Sequence, residues 1–151
     1  MWLVVAMALT GVSWHANGAT CAVAAVSLAF GNYDSFGASH TDSVGDIAVT
    51  CSGKPGELVT YSIALSAGAG GFAQRALRSA SGAALGYNLY SSGSRTLVWG
   101  DGNSGSIVVS DSWSLGAASA TRNYPVYGRL FRGQKVPVAT YSDSIVVTLL
   151  F

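Results

Sequence analysis

The sequence predicts an all-β sandwich, exported and stapled by one disulfide, and three observations carry that prediction. No stretch longer than about ten residues sustains the 3.6-residue apolar period of an amphipathic helix. Short runs rich in β-branched and aromatic residues alternate instead with glycine-rich turns along the chain. Two cysteines, Cys21 and Cys51, follow an N-terminal segment that reads as an export signal. With 151 residues the chain can build one domain around a real core. Half of its residues are apolar, 10% are charged and the formal net charge is +1, which excludes the disordered class. Six Arg and two Lys scattered among seven acids make no basic face, so nucleic-acid binding is not expected.

The elements follow in chain order. Trp2 to Trp14 is an apolar run followed by small residues at Ala16, Gly18 and Ala19. Its length fits a secretory h-region and cleavage site better than a stable membrane span, although no Lys or Arg precedes it. Residues 1–19 are therefore expected to be a signal peptide cleaved after Ala19, with Gly18 the second choice, and residues 20–151 the mature domain. In an oxidising compartment Cys21 and Cys51 are expected to pair, closing a loop whose cross-link stabilises by roughly 3–4 kcal/mol. Strands are expected at Cys21–Phe30, Gly45–Cys51, Val59–Ser66, Leu85–Tyr90, Thr96–Trp99, Ile107–Trp113, Pro125–Phe131 and Ser144–Phe151. Turns are expected at residues 52–56, 68–71, 100–103 and 132–134, each of which contains glycine. Seven or eight short strands with such turns make a β-sandwich.

The last strand is the most informative. Ile145, Val147, Leu149 and Phe151 alternate with Val146, Thr148 and Leu150, so both faces are substantially apolar and the strand is expected to lie covered inside a sheet. It must be paired by an earlier strand, by another chain or by both, because an open apolar edge invites aggregation.

Ordered along the chain, Cys21-x-Val23, Phe30-Gly31-x-Tyr33-Asp34 and Gly45-Asp46-Ile47-x-Val49-x-Cys51 form the first part of a longer pattern. Tyr61-x-Ile63-x-Leu65-Ser66-x-Gly68, Leu85-x-Tyr87-Asn88-Leu89-Tyr90 and Trp99-Gly100-Asp101-Gly102 continue it. Tyr127-Gly128-Arg129, Gln134 and Thr140-Tyr141-x-Asp143-x-Ile145-x-Val147-x-Leu149 end it. In this order and spacing the pieces resemble the spore coat protein U domain family, the subunits of archaic chaperone–usher pili. One departure is Ala139, where the family often has glycine.

The resemblance implies an immunoglobulin-like sandwich that is incomplete, its missing final strand being supplied by a partner. The implied partners are a periplasmic chaperone, an outer-membrane usher and sibling pilus subunits, and the implied location is the surface fimbrium of a Gram-negative bacterium. The groove for the partner strand would be banked by Ile145, Val147, Leu149 and Phe151. Fibre-building subunits donate a free segment ahead of the first cysteine. If cleavage follows Ala19, Thr20 alone would precede Cys21, so the chain is expected to accept a strand at a fibre end, contributing to adhesion or biofilm formation, and not to donate one. The alternative is a free-standing secreted β-sandwich module that binds carbohydrate or a host surface.

Catalytic readings are weak. His40 lies in a polar loop beside Ser39 and Asp42, without the spacing or elbow of a hydrolase triad. Glu57 is the sole glutamate and lacks a neighbouring carboxylate in sequence. Asp101 to Gly105 has too few ligands for a calcium loop and reads as a tight turn. Asp143 is expected to cap the turn into the last strand, and Arg75 and Arg78 are expected to be loop charges. Trp99 and Trp113 fit either the core or an exposed adhesive surface. No catalytic residues, metal or cofactor are expected, and the chain is not expected to be an enzyme.

Overall fold

The computed structural model describes residues 18–151 and the backbone of residues 4–9. The protein is all-β, with strands β1 (Val4–Leu9), β2 (Thr20–Val26), β3 (Leu28–Ala29), β4 (Thr41–Ser52) and β5 (Leu58–Leu65). The second half supplies β6 (Arg75–Arg78), β7 (Ala84–Tyr90), β8 (Val109–Ser114), β9 (Ser119–Leu130) and β10 (Ser142–Leu150). Hydrogen bonding runs β2-β4-β9-β7-β6 through β10 to β1 and β3, with β5 and β8 branching from β10. Inward residues of both groups meet in one core. Ile47 and Val49 of β4, Leu85, Tyr87 and Leu89 of β7, and Val126 and Leu130 of β9 pack with Tyr61 and Ile63 of β5 and Ile145 and Val147 of β10. One hydrogen-bonded sheet therefore curls its apolar side chains into one shared core.

Cys21 and Cys51 are directly opposed across the β2–β4 pair and are joined by a disulfide, as their sequence context predicted. β4 and β9 are longer than expected and pair over their full twelve residues each. The extra length was hidden because Ser119–Asn123 is polar and largely exposed, lacking the apolar beat of a buried strand. Pro125 is tolerated inside β9 because β7 joins that strand only from Tyr127 onward, so no described strand flanks Pro125 on that side. Gly128 lies where β9 passes beneath β3; a Cβ there would meet Phe30 and Leu28 side chains at 2.7 and 2.9 Å.

Two expectations need correction, and one alternative left open by the sequence is decided. Thr96–Trp99 forms no strand, making isolated bridges at Val98 and Trp99 instead. Trp99 and Trp113 are both core residues, 1% and 9% exposed. Their indole N–H groups donate to Ile63 O and to the Tyr61 hydroxyl, which removes them as surface aromatics. Arg75 is no loop charge. It opens β6 and is completely buried. Its guanidinium donates to Ser66 O at 2.9 and 3.1 Å, to Trp99 O at 2.7 Å and to Asn88 Oδ1 at 2.6 Å, and it stacks over the Phe72 ring. Burial pulls its pKa below the ordinary value, partly offset by Tyr87 and Asp143. A buried cation survives here because almost every donor has an acceptor. Arg78, by contrast, is exposed.

A second polar chain ties β8 to β9. Tyr124 donates to Asp111 Oδ2, Trp113 donates to Tyr61 Oη, and so Tyr61 must donate to Tyr124 across the 2.6 Å contact between them. Arg122 pairs with the same Asp111 oxygen at 2.8 Å. Burial raises the Asp111 pKa, but the hydrogen bonds from Tyr124 and Arg122 outweigh it and leave it below the ordinary value.

Two measurements test these struts. Arg75→Leu leaves three oxygens without their guanidinium partner and is expected to cost roughly 3–5 kcal/mol in denaturant unfolding, with Arg75→Lys recovering part of it. An unchanged midpoint in Arg75→Leu would remove the strut from the account. Glu57 accepts the Lys54 and Ala19 backbone N–H groups, which hold its carboxyl below the ordinary 4.5. The unfolded chain therefore binds that proton more tightly, and stability present at neutral pH is lost as pH falls through 4.5 and below. Glu57→Gln is expected to flatten, without abolishing, the acid limb of the stability–pH curve, since Asp42 and Asp111 are depressed in the same direction.

Candidate partner-strand site

β10 is the element on which the expected groove was placed. Its pattern alternates as its sequence demands: Asp143, Ile145 and Val147 turn inward and are buried, while Ser142 and Ser144 are exposed. Leu149 lies at the core margin, packed against it but partly accessible. The outer face is less covered than the sequence suggested, with Val146 and Thr148 half-buried and Leu150 51% exposed. Phe151 follows the end of the strand and is 67% exposed. Of the four groove residues expected, the fold brings Ile145 and Val147 into one buried row with Leu149 at its end, and leaves Phe151 outside it.

One flank of β10 is closed by the chain's own sandwich. β5 pairs antiparallel with it from Leu150 back to Val147, and Ser66 extends that ladder by bonding both the N–H and the carbonyl of Val146. β6 then takes over at Ser142. Between the two, the chain bulges away through residues 67–74, and Asp143 fills the gap. Its Oδ1 accepts the Ala69 and Ser144 N–H groups and its Oδ2 accepts the Tyr87 hydroxyl at 2.7 Å. Asp143 is thus inside the strand, fastening the bulge, where the sequence predicted a turn cap. Burial and the adjacent Asp143 carboxylate push the Tyr87 hydroxyl pKa far upward. Gly68 permits the approach: its φ of +63° suits glycine, and a Cβ there would collide with the Asp143 carboxylate.

The other flank is the site. β1 lies along it in parallel register, Val4 beside Ser142 through Leu9 beside Val147, and on its far side Val4 and Val5 pair antiparallel with Ala29 and Leu28 of β3. The register sets positions 5, 7 and 9 level with Asp143, Ile145 and Val147, the inward residues of β10. The seat between β10 and β3 therefore holds an extended strand of six residues, and Leu28, fully buried, lines its β3 side. The occupant comes from the apolar run read as a leader; the rest of that run, positions 2–3 and 10–14, lies outside the described residues.

The residues weighed for chemistry are dispersed. His40 is exposed, its Nδ1 accepting the Arg132 backbone N–H and its ring edge-on to Phe131. Asp101 accepts the Asn103 N–H in a tight turn, as expected. Glu57 organises the turn between β4 and β5. Sequence reasoning missed the roles of Arg75, Asn88 and Glu57, all of which bond partners far away in sequence.

No curated protein sequence matches the chain. A solved structure does: the CsuC–CsuE chaperone–tip adhesion subunit pre-assembly complex from the archaic chaperone-usher Csu pili of Acinetobacter baumannii. The similarity has a TM-score of 0.56 at 20% identity and covers 88% of this chain and 40% of that one, so this chain spans less than half of its length. At that identity the likeness establishes the fold. The family is established by sequence. The Spore Coat Protein U domain matches residues 6–148, beginning within the expected leader and ending within β10, and the chain belongs to that family.

Proposed function

We propose that the chain is a subunit of a chaperone–usher pilus, exported to the surface of a Gram-negative bacterium, that accepts a partner's strand in the seat between β10 and β3. The observation that carries this reading is the seat itself. β5, Ser66 and β6 complete one flank of β10, whereas the other flank is met by a segment from outside the Thr20–Leu150 strands. An extended peptide entering there satisfies backbone donors and acceptors on two strands at once and lays alternate side chains along Leu28, Ile145 and Val147. The structural neighbour was solved with its chaperone before assembly, which fits such a role. Ile145, Val147 and Leu149 would be the contact row, with Phe151 available to a longer partner strand. In this reading the periplasmic chaperone, the usher and sibling subunits are the partners, the protein performs no catalysis, and its place at a fibre end would contribute to adhesion or biofilm formation. The alternative of a free-standing carbohydrate- or surface-binding module finds no surface aromatic in Trp99 or Trp113, which are buried.

The test supplies strands to the exported protein. Synthetic N-terminal segments of sibling subunits, or the cognate chaperone, are expected to form a complex that survives heating and gel separation. Leu149→Asp, at the accessible end of the row, is expected to weaken capture at least about tenfold, the cost of an unpaired charge against an apolar strand. A stable monomer that unfolds reversibly and binds no strand would sink the acceptor reading.

A further inference from the structure

The boundary expected between leader and domain falls on a built piece of structure. Ala19 is partly buried against the core. A Cβ added at Gly53 would come within 2.9 Å of the Ala19 methyl and 3.0 Å of Leu115, so Ala19 sits tightly over the β4–β5 turn beside Leu115, the residue that follows β8. Its backbone nitrogen lies 2.7 Å from Glu57 Oε1, while Glu57 Oε2 takes the Lys54 N–H. Glu57 N–H and carbonyl are themselves engaged with Lys54 O and Leu115 N–H, which fixes the carboxylate in place. Gly18, the residue before, is exposed. The sequence has small residues at positions 16 and 18, the spacing a signal peptidase reads on the leader side of a cut after Gly18. A cut after Ala19 would place Asn17 and Ala19 there and would discard the residue that Glu57 holds.

We propose that the leader is removed between Gly18 and Ala19, and that the new α-ammonium group on Ala19 is captured by the Glu57 carboxylate. This rests on residues 1–18 being a cleaved leader, and it revises the expected cut by one residue. Hydrolysis of the Gly18–Ala19 amide consumes one water; the leader departs with the Gly18 carboxylate, and the freed amine on Ala19 takes up a proton. A neutral amide N–H facing a carboxylate becomes an ammonium facing it, and the hydrogen bond becomes charge-assisted. Among the described residues, Lys54, on the same turn, is the one charged group that acts on Glu57 through space, and its like charge opposes the ammonium. The consequence for assembly is direct: the mature N-terminus is moored on the β4–β5 turn and offers no free segment to a neighbouring subunit.

The experiment expresses the full precursor with its leader, recovers the exported protein and determines its first residue by intact mass and N-terminal sequencing. A chain beginning at Ala19 is expected. Its α-amine, followed by NMR, should titrate above the ordinary range of about 7.7–8.0, and Glu57→Gln should return it to that range. Because the folded pKa is raised, the added stability is complete below the unfolded value and is lost as pH rises through the folded one. Selective acetylation of the Ala19 amine, which keeps an N–H but deletes the charge, should lower Tm in the native sequence and leave Glu57→Gln unchanged. A chain beginning at Thr20, or an Ala19 amine that titrates alike in both proteins, overturns the proposal while leaving the leader reading intact. A chain that retains residues 1–18 overturns the leader reading itself.

Discussion

β10 has to satisfy two rows of backbone hydrogen bonds, and the rest of the architecture is arranged around how each row is met. On one side no single strand does the work. β5 covers the C-terminal half, Ser66 continues for one residue, and β6 arrives at the other end. The interruption between β5 and β6 is an energetic problem, since buried backbone groups in a bulge need partners. The buried polar residues answer it. Asp143 reaches from β10 into the bulge to bond Ala69, and Arg75 at the start of β6 holds Ser66 O. Tyr87 and Asn88 of β7 complete the pair, one on Asp143 and one on Arg75, so the strand beneath the bulge is recruited to both charges.

The same economy governs the other charges. With few charged residues in the chain, most acids serve as internal fasteners instead of solubilising the surface. Asp42 takes both arms of Arg129 across the β4–β9 pair at 2.7 and 2.8 Å, and the Arg129 hydrogen bond is the largest cause of its depressed pKa. Asp111 terminates the tyrosine chain, and Glu57 and Asp101 organise turns. The exposed faces are then finished with paired hydroxyls, Thr50 with Thr121, Thr60 with Ser112 and Ser62 with Ser110, each between neighbouring strands.

This division explains what was legible in advance. The apolar residues of β5, β7 and β10 announced those strands, because most of their inward residues are apolar. The Cys21–Cys51 link was legible because two cysteines in a chain read as exported have one way to pair. β6 was not: Arg-Ala-Leu-Arg carries no strand pattern, and its burial depends on acceptors at Ser66, Asn88 and Trp99, which only the folded chain assembles. The polar start of β9 was missed for the opposite reason, being a strand with an exposed face. Trp99 stayed open between core and surface because nothing in its neighbourhood of glycines revealed the Ile63 carbonyl that its indole reaches. The row of Ile145 and Val147 was legible as apolar; its flanks, one sealed and one fillable, were matters of topology.

In the proposed acceptor role, that topology also constrains the strand that would enter the seat. β1 runs parallel to β10 and antiparallel to β3, so β10 and β3 run in opposite directions. A strand inserted between them must make one parallel and one antiparallel ladder whichever way it points. The two choices are not equal, because β10 offers six paired positions here and β3 offers two. Parallel pairing is slightly less stable per residue. The orientation seen for Val4–Leu9 therefore places the longer ladder in the weaker arrangement. A strand of opposite polarity would put the longer ladder in the stronger one and could continue past Val147 along Thr148–Leu150, over the accessible Leu149. Backbone bonding alone would thus favour an entering strand that runs against β10, and in the proposed role the side chains that must fit beside Leu28, Ile145 and Val147 would decide among strands of that polarity.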